Sequence, residues 1–547
     1  MTALTHLNFI DFVIIALYFI FILGIGFYVK EKTKNSADFF LAGRKNTSWI
    51  AGLAFLSANM GALELLGMSG QSYAYGVLTA HFYLIGAVPA MLFLAIYMMP
   101  FYYATRIHSI PQYLNLRFNG ATRTLNAYAF AIVTLLMSGI NMYAMALVLN
   151  VFVGWNFNSS VWVASATVAC YIALGGLASA IFSEVMQFFI IWFGLFLAVI
   201  LGYVHIGGAH EIIARLPTSY LHLWKITGSP QNNLMGIEWF GIALGLGFVL
   251  SFGYWTTDFL VIQRAFSAKD LSSARMAPII ASFFKMALPI IVVGAGLLVL
   301  TLEKMGQLPA LDRPDEALLY LVNLEYPHGL LGLGVTALLA GFMAGQAGNV
   351  SAFNTVFTYD IYRAHFVKNA SDSHYLMVGR IVTILGILLS ILTAYGAKSE
   401  PTIMEYMQAL FSIVNAPLFG IIFLGMFFPR INGAGAFWGL LVGMLSAAIS
   451  FFATEFHWFS PAYIAFNDNA SLMAINFWRA IWAFIITGSL TILISLLTDQ
   501  QPRATLEGLI FEKNKIGSRA DVIYWRRPGF WALISIAIFI AINAAFW

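Results

Sequence analysis

Six ionisable side chains stand inside long apolar runs of this sequence: Glu64, His81, Glu184, Asp258, Lys285 and Arg479. A charge at that depth in hydrocarbon is costly, so such residues face a protein interior or a wet cavity and mark ion or solute pathways. Glu64 belongs to the stretch from Ser57 to Gly70, which also carries Asn59, Met60, Gly61 and Gly67. That is too much Gly, Ser and Asn for an ordinary spanning helix. A helix broken at membrane depth must satisfy its freed backbone groups within protein or a cavity. Interrupted helices near the midplane are where secondary transporters hold ions and solutes. Glu64 is therefore either a solute or ion contact, or a paired or protonated carboxyl that fixes helix packing.

A second run of this kind extends from Gly241 to Asp258 and holds Ser251, Tyr254 and Trp255. The two aromatics read equally as core packing or as a stacking surface for a solute. Asp258 stands close to Gln263 and Arg264 and is expected to form a structural ion pair. Lys285 is too far from either end of its run to snorkel easily, so it is expected to donate a hydrogen bond into a cavity. Glu184 follows Gly175 and Gly176. It fits an acid on a cation's exit path, and equally a carboxylate that complements a helix N-terminus. His81 is expected at the interface, and Arg479 in a structural role.

The elements that position these residues follow from composition. Of 547 residues, 60% are hydrophobic and 10% charged, with mean hydropathy +0.82. Soluble domains carry about 25% charged residues, so this is an all-α polytopic membrane protein. Cys170 is the single cysteine, which excludes an internal disulfide and a cysteine-held metal cluster. Runs long enough to span fall at 9–29, 49–75, 78–105, 123–154, 161–179, 182–206, 236–263, 274–303, 327–361, 377–398, 403–427, 432–456, 472–498 and 528–547. That is about fourteen helices, with tight joins at 76–77 and near 180. The first run has no basic leader and reads as a spanning helix rather than a cleaved signal.

Charge orients the runs. With the N-terminus outside, the inside segments collect Lys30, Lys32, Lys34, Arg44, Lys45, Arg106, Arg117, Arg123, Arg264, Lys269, Arg363, Lys368, Lys513, Lys515 and Arg519 among others. The outside segments hold only Arg215, Lys225, Lys304, Arg313 and Lys398. This is the positive-inside asymmetry, and an even count puts both termini outside. The broken runs are the second and the seventh, the offset that two inverted five-helix repeats produce. No phosphate-binding loop, His-Glu-x-x-His pattern or catalytic triad appears, so no enzyme activity is expected. Transport would run downhill or on an ion gradient.

Several motifs resemble one family. They are Phe39–Arg44, the stretch around Ala58–Asn59 and Gly67–Gly70, Ser109–Phe118, Gly175–Leu177 with Glu184 and Gln187, and Ile262–Arg264 with Ala268 and Lys269. Phe357–Tyr362 is another, and the most specific is Gly425–Gly443. Together they resemble the sodium–solute symporters, in particular their bacterial sodium–galactose and sodium–glucose members. The resemblance implies a LeuT-like core of two inverted five-helix repeats with flanking helices. The divisions would be a leading helix and inside loop (9–48), repeats at 49–206 and 236–427, and trailing helices at 432–547. It implies solute contacts at Asn59, Glu64, Ser251, Tyr254, Lys285 and Gln408, with Glu64 in place of a glutamine and Ser251 in place of an asparagine. It implies sodium between the first broken helix and the ninth run, on carbonyls of Ser57, Met60 and Gly341. Two hydroxyls are expected at Ala344 and Gly345, and neither residue has one. The cation site should therefore be weak, since hard cations want several oxygen ligands.

The expected function is import of a small polar solute, a sugar first, by cation symport, with sodium implied by the resemblance. The alternatives are a uniporter or proton-coupled carrier, with Glu64 as proton carrier, and a transporter-derived membrane sensor. No resident cofactor, nucleic acid or obligatory protein partner is expected. The expected partners are the solute, Na+ or H+, and the lipid of the cell (inner or plasma) membrane.

Overall fold

The computed structural model describes residues 7–30, 35–398, 402–511 and 524–547. Lys32, Lys34, Lys513, Lys515 and Arg519 lie outside the described residues. Among the described residues the chain is helical throughout, and its single β contact is an isolated bridge between Asn46 and Ala268. Twelve helices are long and apolar enough to cross a membrane. With the short segments of the broken ones they are α1 (Phe9–Lys30), α2 (Ser48–Ser57), α3 (Leu63–Ala104), α4 (Gly120–Val153), α5 (Phe157–His205), α6 (Trp239–Thr257) and α7 (Phe259–Phe266). Then come α8 (Leu271–Lys304), α9 (Leu330–Phe366), α10 (Asp372–Ala397), α11 (Ile403–Phe427), α12 (Gly433–Glu455), α13 (Leu472–Leu497) and α14 (Pro528–Ala545).

The difference between twelve helices and about fourteen apolar runs sits at the two tight joins. Helix α3 turns back at Gly76, where φ is 66° and ψ is −145°. Asn46, just before α2, bridges to Ala268, and Tyr103 near the end of α3 donates to the Ala268 carbonyl (3.0 Å). The chain thus goes out along α2 and the first leg of α3, reverses at Gly76, and returns. Helix α5 does the same at Gly176 (φ 58°, ψ −146°). A straight helix of that length would hold its ends about 70 Å apart. Instead both ends lie at one face. Asn158 accepts from Tyr395 (2.9 Å), and His205 meets Glu325 (2.7 Å). Only glycine adopts such a left-handed backbone cheaply. At Gly176 the space is also closed, since a Cβ there would stand 2.6 Å from the Phe39 carbonyl.

The start of α1 and the end of α14 share the face of the 207–238 and 304–329 loops. Asp11 at the start of α1 accepts from the Gly329 and Gly332 amides (2.7 Å each). The Phe546 and Trp547 carbonyls accept from the amides of Leu223, Trp224 and Lys225 (3.1–3.2 Å). In the interior, α2 packs on α8, the first leg of α3 on the second half of α8, and α9 between α4 and α5. Exposed large hydrophobic side chains concentrate on α1, α5, α10, α12, α13 and α14, whose apolar faces are turned outward.

Candidate solute and cation site

The chain is broken twice near its middle. Helix α2 stops at Ser57, and α3 restarts at Leu63 with a wide π-type turn over Leu63–Gly67. Asn59, Met60 and Gly61 lie between. The second break is at Asp258, which has extended φ and ψ (−74°, 117°) and caps α7 by accepting from the Leu260 amide (2.9 Å). Asp258 is therefore a helix cap and not the expected ion-pair partner of Arg264. Arg264, nearly two turns along α7, turns to another helix. It donates from Nε to Glu184 Oε2 (3.2 Å) and from Nη2 to Glu184 Oε1, and Nη1 donates to the Leu260 carbonyl (2.8 Å). Both side chains are fully buried. Glu184 stands two turns past Gly176, so it is not a helix-start carboxylate. In this conformation both its oxygens are taken.

The six residues expected to contact solute come together. Asn59, Glu64, Ser251, Tyr254, Lys285 and Gln408 line one cavity, with Tyr83, Trp255, Phe82, Met404 and Phe411 among its apolar walls. Lys285 is the hub. Its Nζ lies 2.7 Å from Glu64 Oε2 and donates to Asn59 Oδ1 at 2.5 Å. It also sits over the rings of Tyr83 (5.0 Å) and Trp255 (5.2 Å), within cation–π range. Asn59 Nδ2 in turn donates to the Tyr254 hydroxyl (2.9 Å). Of the polar atoms lining this cavity, Glu64 Oε1, Gln408 Oε1 and the Tyr83 hydroxyl are buried and make no well-formed hydrogen bond to protein, the Tyr83 hydroxyl standing close to Glu64. The cavity measures about 60 Å³. Sites that hold a small organic ligand are several-fold larger, about 300 Å³ and up.

Part of the residue set implied for the cation meets. The Met60 carbonyl lies 2.8 Å from where a Cβ of Gly341 would stand, and the Gly61 Cα lies 2.9 Å from the same point on Gly345. Ala344 is fully buried, as is Ser57, whose hydroxyl has no partner. A residue without a sequence signal completes the corner. Asn141 on α4 accepts from the Ala62 amide through Oδ1 (2.8 Å), wedged between Gly61 and Gly345. One Asn in a spanning helix has no spacing to read. Its trace in the sequence is the pair of glycines that make room for it.

The other two buried charges have ordinary partners. His81 is not interfacial. It is buried beneath the 218–224 loop, its Nε2 2.9 Å from the Leu223 carbonyl and its ring against Trp224. Arg479 ties α13 to α12 through Ser450 (3.2 Å) and Thr454 (2.8 Å), as a structural residue would.

The model of the Sodium:solute symporter family matches residues 39–443. The chain belongs to that family. It is 25% identical to the sodium/glucose cotransporter of Vibrio parahaemolyticus over 518 residues, covering 91% of this chain and 92% of that protein. Sodium/myo-inositol cotransporter 2 of Oryctolagus cuniculus is 27% identical over 536 residues, 91% of this chain and 78% of that one. Among solved structures, a Na+-coupled sialic acid symporter superposes with a TM-score of 0.75 at 20% identity, over 90% of this chain and 99% of that chain. At that identity the match speaks for the fold, and the expected all-α, LeuT-like architecture stands. This family member is a multi-pass membrane transporter, built for solute symport rather than for covalent catalysis.

Proposed function

We propose that this chain imports a small, hydroxyl-bearing solute, sugar-like, by sodium symport. The observation that carries the reading is the cavity between the two breaks. Its Lys285–Glu64 pair can give a hydrogen bond from one end and take one at the other. Glu64 Oε1 and Gln408 Oε1 are acceptors without a well-formed hydrogen bond from protein, suited to the hydroxyls of a polyol. The aromatic walls suit the apolar face of a ring. Asn59, Ser251 and Tyr254 complete the solute contacts, and Ser57, Met60 and Gly341 provide carbonyls to the cation beside Ala344 and Gly345. Passage of the cation inward requires the Glu184–Arg264 pair to open. The repeats are taken as 49–206 and 236–427. The protein is placed in the cell membrane with both termini outside, on the charge asymmetry of the loops.

The test is uptake into vesicles holding the purified protein, with labelled glucose, galactose and myo-inositol as probes. Uptake that rises with an inward sodium gradient and not with a proton gradient is the expected result. A second reading, proton coupling, rests on Glu64 Oε1 having no well-formed hydrogen bond to protein. It is supported if uptake ignores sodium, follows an inward proton gradient, and loses that dependence in Glu64→Gln.

A further inference from the structure

Gly345 lacks the hydroxyl that the cation position calls for, and the structure puts another oxygen in the same corner. Asn141 Oδ1 lies 2.6 Å from where the Cβ of residue 345 would stand. A side chain at 345 would enter the space that this amide already fills. Which end of the amide faces the break follows from its partners. The oxygen accepts from the Ala62 amide (2.8 Å), while Nδ2 donates to the Met137 carbonyl (3.2 Å). A flipped amide would set two donors against each other. An amide oxygen has two lone pairs, and the Ala62 N–H uses one. The Ser57 hydroxyl at the end of α2 is buried without a partner. The Met60 carbonyl packs against Gly341, one turn before Gly345.

We propose that Asn141 supplies the oxygen that Gly345 lacks, so that the cation is held by α4 as well as by the break and α9. Amide oxygens are ordinary ligands of hard cations. The glycine at 345 and the asparagine at 141 are then two parts of one substitution. The side-chain oxygen is supplied from α4 instead of α9, and the space left by the missing side chain at 345 admits the longer asparagine. The consequence is mechanical: cation binding draws α4 to the break, a helix that the implied ligand set leaves out. This inference rests on the sodium-symport reading above.

The rival account is that Asn141 only caps the free Ala62 N–H. Saturable binding of 22Na+ to the purified full-length protein separates the two. Asn141→Ala should weaken sodium binding by roughly tenfold or more, the scale on which even outer partners of a metal site act. Asn141→Asp keeps the acceptor and adds charge, and should bind sodium more tightly than the wild type. The double variant Asn141→Ala with Gly345→Ser should recover affinity that Asn141→Ala loses, because α9 then supplies the oxygen. Equal sodium affinity in the wild type, Asn141→Ala and Asn141→Asp overturns the inference and leaves the cap. If Asn141→Ala does not fold, judged by its melting in choline, an Asn141→Asp protein that binds no more tightly than the wild type overturns it alone. No saturable binding in the wild type overturns the sodium reading as well, whereas equal affinities leave that reading intact.

Discussion

The two breaks are finished differently. At Asp258 the residue at the break caps the segment that follows it, and Tyr102 of α3 donates to the Thr256 carbonyl just before it (3.2 Å). At Ser57–Leu63 most of the backbone is satisfied locally, with the Asn59 and Met60 amides donating to the Leu56 carbonyl and the Glu64 and Leu65 amides to the Gly61 carbonyl, while the Ala62 amide donates to Asn141 of α4. The side chains there reach further: Lys285 of α8 donates to Asn59, and Asn59 donates to Tyr254 of α6. The first break is thus tied to three other helices and is coupled to the movement of any of them. Unsatisfied atoms follow the same division. Ser57 Oγ and Glu64 Oε1 lie at or beside the first break, and Asp258 has no such atom.

The largest way to break this contrast is to remove its hub. Lys285→Met strands a buried carboxylate, and losing one partner of a buried pair costs about 3–5 kcal/mol. Unfolding in detergent should show that loss, together with abolished uptake. Adding Glu64→Gln should recover much of the stability and none of the uptake; a double variant as unstable as the single would mean that the pair is not what Lys285 is there for. A smaller effect is expected at the other break. Asp258→Ala removes an N-cap, worth about 1 kcal/mol, and Asp258→Asn should not. Neither should shift the sodium concentration at which uptake is half-maximal. A shift would make the second break part of the cation site. The smallest stability effect belongs to Ser57→Ala. Its buried hydroxyl holds nothing in the protein, and an unsatisfied buried group is a cost, so stability to unfolding should not fall below wild type. Half-saturation by sodium should stay where it is, because the backbone carbonyl proposed for the cation remains; a rise would make the hydroxyl a cation ligand.

How much of this was legible in the sequence differs between the two breaks. The residues expected to contact solute could be named because each is polar in an apolar run and stands at a family position, and the structure brings them to one cavity. The Asp258 expectation failed for a physical reason. Closeness in sequence to Arg264 suggested a pair, yet an arginine nearly two turns along a helix faces another way, and its partner Glu184 is 80 residues distant in sequence. His81 misled in the same manner, because the loop that buries it is folded over from residues 218–224. The joins at 76–77 and near 180 were visible only as glycines, and their reversal is a matter of φ. Asn141 was invisible, since its meaning is the absence of side chains at Gly61 and Gly345.

The Lys285–Glu64 pair has an electrical side. A unit charge moved through the whole membrane field exchanges about 2.3 kcal/mol per 100 mV. The positive Nζ and the carboxylate lie 2.7 Å apart and cancel. The pair by itself therefore offers the field almost nothing to pull on, and a variant that removes one partner would leave the field a net charge inside the span.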